Sequence, residues 1–204
     1  MSTQEILRMD LQTLVPKDFY MKHIIKSHNW YFSDYLCVPQ DELVDRMDYF
    51  KEIVSSHFGI NFHNVQIVGS AKMGYSLSPQ KLLKPFHDEE AGLPSSDIDI
   101  AIISEYLYSS FWSDLRSING LWYKTYYNHI TESIFRGYIN DKDLQKIESV
   151  SLKWNERVSP TNVALQDAIG FIHPITYRLY RSWDDLEQYQ LIAISKAKKK
   201  LEEG

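Results

Sequence analysis

The run Ser96-Asp97-Ile98-Asp99-Ile100-Ala101-Ile102-Ile103 constrains this chain more than any other stretch. From Ile100 onward every residue is apolar, the signature of a strand buried on both faces of a sheet. Alternate side chains of a strand share a face, so Asp97 and Asp99 project together, with Ile98 and Ile100 on the other side. A fold that buries this strand therefore sets two carboxylates side by side at its start. Like charges at that spacing raise one another's pKa, an arrangement that is costly unless a cation sits between them. Such an oxygen-only pair suits Mg²⁺ or Mn²⁺, and Mg²⁺ usually takes one or two carboxylates together with substrate phosphates.

A second short element precedes it. Val65-Gln66-Ile67-Val68 is an apolar strand that ends in Gly69-Ser70, where glycine allows a sharp turn and close backbone approach. Ser70-Ala71-Lys72-Met73 then opens a helix whose free N–H groups face an anion. Ser70 is a candidate phosphate ligand through its hydroxyl and backbone N–H together. Lys72 follows the turn as a candidate point charge for a triphosphate, or as a solvated lysine of the first helical turn.

Gly-Ser after one strand and Ser-Asp-x-Asp on the next resembles the DNA polymerase β-like nucleotidyltransferase superfamily. The wording Gly69-Ser70-Ala71-Lys72-Met73-Gly74-Tyr75-Ser76-Leu77, followed by Ser96-Asp97-Ile98-Asp99-Ile100-Ala101, is similar to small stand-alone bacterial nucleotidyltransferases of toxin–antitoxin or phage-defence settings. The resemblance implies an α+β fold, with a small mixed sheet flanked by helices and with extra N-terminal and central helices. It also implies transfer of an NMP from an NTP to a hydroxyl acceptor, with pyrophosphate released. Asp97 and Asp99 would be the catalytic and metal-binding residues, and Gly69, Ser70 and Lys72 the nucleotide-binding ones.

The rest of the chain reads as one domain: a helical arm over 1–39, the motif-bearing core over 40–104, a helical insert over 105–172, and a final strand and helix over 173–204. Pro16 interrupts the arm, and Trp30, Tyr31, Phe32 and Tyr35 form an aromatic cluster that docks it on the main body. Asp41 is placed to cap a helix over 42–57, closed by Gly59. Residues 78–95, with Pro79, Pro85, Gly92 and Pro94, read as a surface insertion between the two motif elements. Within it, the charged run His87-Asp88-Glu89-Glu90 reads as solvent-facing rather than as a metal site. Helices are expected over 105–118, stopped by Asn119-Gly120, and over 121–137, where Trp122, Tyr123, Tyr126, Tyr127 and Phe135 lie on several faces. A short helix over 141–148 and a polar connection to Pro160 follow, with Thr161 capping a helix through Ile169. Alternation of Ile175, Tyr177 and Leu179 against Thr176, Arg178 and Tyr180 gives a half-buried strand over 174–181. Ser182 then caps a helix over 183–203, with Asp184 and Asp185 in its first turn.

Composition narrows the function classes. A formal net charge of −5 argues against a protein whose main task is gripping a nucleic-acid duplex. The 14 Tyr and 5 Trp fit stacking surfaces for bases, a broad partner interface, or a Tyr-rich core and rim. Cys37 is the only cysteine, so no disulfide framework exists and a reducing cytoplasm fits. The first residues lack a secretory pattern, and no apolar stretch is long enough for a bilayer.

One element of the superfamily pattern is missing. A third carboxylate usually stands on a later strand of the same sheet and takes the proton from the attacking hydroxyl. The strand at 174–181 has no Asp or Glu. Asp167 lies before it, Asp184 after it, and Arg178 and Arg181 within it, where they are placed to pair with phosphate or a carboxylate. The absence motivates an alternative: a catalytically weak, antitoxin-like or partner-binding subunit on the same fold. The acceptor stays open among a protein hydroxyl, a nucleotide, a tRNA end and an oligonucleotide, as does assembly with a second copy or a cognate partner.

Overall fold

A computed structural model describes residues 2–87, 94–118 and 121–203, excluding the side chains of 121–126 and 129. Asp88, Glu89, Glu90 and Gly92, the stop at Asn119-Gly120, and the side chains of Trp122, Tyr123 and Tyr126 lie outside the described residues.

The buried run becomes β2 (Ile98–Ile103), paired antiparallel with β1 (Val65–Val68) and parallel with β4 (Ile175–Tyr180). A short β3 (Tyr138–Asn140) pairs antiparallel with β4, giving a four-stranded mixed sheet in the order β1-β2-β4-β3. The fold is α+β. Register places Val68, Asp99 and Thr176 on one rung, and Ala101, Arg178 and Asn140 two rungs further on, on the same face.

The two faces of the sheet differ. On the back face Ile67, Ile98, Ile100, Ile102, Tyr177 and Leu179 pack under three helices: α3 (Leu43–Phe58), α5 (Glu105–Arg116) and α8 (Glu148–Ile169). Each of these six side chains is at most 2% exposed, so the largest apolar burial of the molecule lies here. On the front face, α9 (Trp183–Glu202) sets Leu186 against Val68, Ala101, Ile103 and Tyr180. Further along, α9 packs Ile194 and Ala197 against α1 (Thr3–Thr13), α2 (Pro16–Tyr20), Met73 and Leu83. The aromatic cluster docks as expected, with Tyr31 fully buried among Tyr35, Phe86, Phe171 and His173.

Local chemistry explains the helix ends. Ser2 and Glu5 form a reciprocal capping box on α1, and the Ser182 hydroxyl accepts from the Asp185 amide at the start of α9. α3 ends at Gly59, but it begins one residue later than Asp41 would set it: Glu42 is the cap, with no side-chain bond.

The largest departure is α8, a continuous helix of 22 residues that runs through Pro160. Proline removes one helical hydrogen bond, which favours a break in a solvated segment. Here a buried stripe of Val150, Trp154, Val158, Thr161 and Leu165 outweighs that loss, and the Thr161 hydroxyl donates to the Arg157 carbonyl at 2.6 Å. Tyr138–Asn140, between the helices expected over 121–137 and 141–148, forms β3 because β4 offers an open edge. The segment expected as a helix over 141–148 is split, with α7 (Asp141–Leu144) ending before α8 starts.

Candidate active site

β1 leads into the turn at Gly69, whose φ of +68° is the left-handed backbone that glycine tolerates. A one-turn helix, α4 (Gly69–Met73), follows. A Cβ on Gly69 would lie 2.6 Å from Asp99 Oδ2, so the turn and the carboxylate are in direct apposition. The other oxygen of Asp99, Oδ1, accepts from the Thr176 hydroxyl at 2.8 Å. Asp97 lies just before β2, on the same side of the chain.

These groups sit at one end of a cleft of about 500 Å³ between the sheet, α9 and the loop that follows α4. Gly69, Ser70, Asp97, Asp99 and Arg178 line it together, and the Ser70 hydroxyl makes no hydrogen bond to a described residue. The described part of the expected insertion, 78–87, also lines the cleft. Ser78, Lys81, Lys84, Pro85 and His87 form one wall of the cleft, while Arg136 and Lys196 add cations from the end of α6 (Leu121–Phe135) and from α9. Five cationic side chains, Lys81, Lys84, Arg136, Arg178 and Lys196, thus line the same cleft as the carboxylate pair, and of these Arg178 acts directly on Asp99. A low-dielectric cleft of this composition concentrates polyanions.

Burial holds the Asp99 carboxyl above the usual carboxylate range, and Asp97 pushes it in the same direction; Arg178 and the Thr176 hydrogen bond oppose them. Arg178 is anchored by donation from Nε to Asn140 Oδ1 at 2.8 Å, with its guanidinium 4.5 Å from the centre of the Tyr189 ring and 5.5 Å from that of Tyr138. Burial works against its charge, but Tyr180, Tyr189 and Asp99 more than offset that, so it remains a fixed cation beside the pair.

Lys72 is not brought to this cleft. Its side chain is buried, and its ammonium donates to the carbonyls of Ser27 at 2.6 Å and His28 at 3.1 Å, pinning the arm to α4. Burial lowers its pKa to about 8. Asp167 and Asp184 are exposed on α8 and α9, and neither lines the cleft. Thr176 occupies the rung beside Asp99 where a later-strand acid would have to stand. Sequence reasoning missed Lys81, Lys84, Arg136 and Lys196, which come from separate elements and share no spacing rule.

Among the described residues no cluster of three or more His, Cys, Asp or Glu side chains is arranged to hold a metal. The pair Asp97 and Asp99 nonetheless fits Mg²⁺, which takes few protein ligands when phosphates complete its shell. A divalent cation there would also relieve the mutual repulsion that raises Asp99. No helix among the described residues is long and apolar enough to cross a membrane. No protein family, curated protein or solved structure matches the chain.

Proposed function

We propose that the protein is a metal-dependent nucleotidyltransferase of the DNA polymerase β-like kind, which transfers an NMP from a nucleoside triphosphate to a hydroxyl acceptor and releases pyrophosphate. One observation carries the reading: Asp99 abuts the glycine-serine turn, and Asp97, Ser70 and five basic side chains line the same cleft. A site for a polyanion alone has no use for Asp97 and Asp99, and a bare cation site has no use for five basic side chains. A metal-bound triphosphate accounts for both.

The residues divide the work by charge. The Gly69-Ser70 turn receives the phosphate chain through backbone N–H groups and the Ser70 hydroxyl. Arg178, held in place by Asn140 and two tyrosine rings, meets the negative charge that grows during transfer. Asp97 and Asp99 would hold Mg²⁺, which supplies charge neutralisation at the reacting phosphate. The acceptor oxygen bonds the α-phosphorus in line as the bond to pyrophosphate breaks, and the acceptor's proton passes to water. The motif wording is what supports a bacterial defence or toxin–antitoxin setting.

Incubating the protein with each of four α-labelled NTPs and Mg²⁺ or Mn²⁺, and following label transfer by electrophoresis and intact mass, tests the reading. The parent should transfer label, and Asp97→Ala and Asp99→Ala should lose transfer while unfolding at a temperature close to the parent's. Equal turnover in all three would sink the assignment.

Thr176, at the position of the missing acid, favours a second reading: a nucleotide-binding subunit with weak or absent turnover. Mg²⁺-dependent NTP binding without labelled product, together with stoichiometric partner binding, would select it.

A further inference from the structure

The inner stripe of α9 runs Leu186, Gln190, Ile194, Ala197, and all four are buried. Three of them do what a buried stripe is built to do. Leu186 packs on Val68 and Ala101 of the sheet, and Ile194 and Ala197 pack on the cluster that contains Met73 and Leu83. Gln190 breaks the pattern. It is only 6% exposed, yet its amide makes no hydrogen bond to any described residue. Its amide atoms are also absent from the fully sealed polar groups, so the little exposure it has is into the cleft it lines. An apolar side chain at this position would complete the stripe, whereas an amide open only to the cleft has to find its hydrogen-bond partners there.

Position says what the missing partner is. Gln190 lies one turn from Leu186, which shares a cluster with Val68, and one turn from Ile194, which shares a cluster with Met73. The segment between Val68 and Met73 is the Gly69-Ser70 turn, and Asp99 is the rung partner of Val68. Gln190 lines the same cleft as Gly69, Ser70 and Asp99, where the phosphate chain would lie. Tyr189 beside it is already engaged with Arg178.

We propose that Gln190 is a neutral ligand of the substrate's polyphosphate chain, donating its amide N–H to a phosphate oxygen across the cleft from the Gly69-Ser70 turn. This inference rests on the nucleotidyltransferase reading. A neutral amide has a use there that another lysine lacks: it donates to phosphate oxygen without forming an ion pair with Asp97 or Asp99 when the cleft is empty.

The test is calorimetric titration of the full chain, in Mg²⁺, with inorganic tripolyphosphate and with each of four NTPs. It compares the parent with Gln190→Met, which keeps length and helix preference, and with Gln190→Glu. Gln190→Met should weaken tripolyphosphate and all four NTPs alike by about tenfold or more. It should also raise the unfolding temperature of the ligand-free protein, because an unpartnered buried amide is gone. Gln190→Glu should weaken binding further through repulsion of phosphate. Unchanged affinity in Gln190→Met overturns the role of Gln190 and leaves nucleotidyl transfer standing. A loss confined to one nucleobase also overturns it, making Gln190 a base reader. A drop in ligand-free stability in Gln190→Met assigns it a structural role instead. Failure of the parent itself to bind any of the five ligands overturns both readings.

Discussion

The back and front faces of β2 are made by alternate residues of one six-residue strand, yet they obey opposite rules. Ile98, Ile100 and Ile102 face the main hydrophobic core, packed among the apolar side chains of α3, α5 and α8. Asp99 looks the other way, into a cleft where burial and a neighbouring carboxylate both oppose its charge. The back face holds the strand rigid enough for the front face to carry an unfavourable group. Stability and chemistry are thus separated by a single residue step.

The comparison breaks most sharply by substitution on either side of that step. Ile100→Ala should cost about 2–5 kcal/mol of stability by leaving a cavity. Asp99→Asn should instead be neutral or stabilising by roughly 0.5–2 kcal/mol at pH 7, while nucleotidyl transfer falls by at least about 100-fold. The sign follows from the raised pKa: an ionised Asp99 is more costly folded than unfolded, so removing its charge helps the fold. Denaturant unfolding beside the label-transfer assay checks both, and a large destabilisation in Asp99→Asn would show that the front face is structural too.

Gly69→Ala sharpens the comparison at the contact between turn and carboxylate. The new methyl would meet Asp99 Oδ2 in a backbone of positive φ, so stability should drop by roughly 1–3 kcal/mol and Mg²⁺-dependent binding should weaken with it. Serine or alanine at Gly59, which has open space, should leave binding unchanged.

Proton linkage gives a smaller effect. Asp99 must release its proton to hold a cation, so Mg²⁺ affinity should fall as pH drops, by up to about tenfold per unit, beginning above the ordinary carboxylate range. In Asp97→Asn, which removes one cause of the shift, the fall should begin at lower pH; titration of Mg²⁺ across pH would reveal identical onsets if the two acids do not interact.

Lys72 provides the smallest effect, and it lies away from the cleft. Its pKa is lowered to about 8, so between there and about pH 10 the unfolded chain holds a proton that the folded chain has lost. Stability should rise with pH over that window by on the order of 1 kcal/mol, and Lys72→Met should flatten the rise.

How much of this was legible follows from the range over which each signal acts. β1, β2, β4 and α9 are written in local periodicity and caps, and the structure has each within a residue or two of the expected bounds. The apposition of Gly69 with Asp99 was foreshadowed only by the order of two motifs. Pro160 misled because its local penalty is visible in sequence, whereas the packing of Trp154 and Leu165 that outweighs it is not. Lys72 misled for a related reason: its spacing from Ser70 points to a phosphate, but the carbonyls that hold it belong to residues 44 and 45 positions earlier. The cationic rim is tertiary in origin and has no sequence signature.

Thr176 reaches Asp99 across a separation of 77 residues, and the strands that carry them run parallel, so no hairpin can bring them together. Closing so long a loop is entropically slow, and parallel pairing is among the last contacts a chain makes. While the polypeptide is being synthesised, both acids and the glycine bend emerge well before the strand that completes their sheet. The cleft is therefore completed only when nearly all of these residues have been translated, and the nucleotide binding proposed for it has to wait for that point.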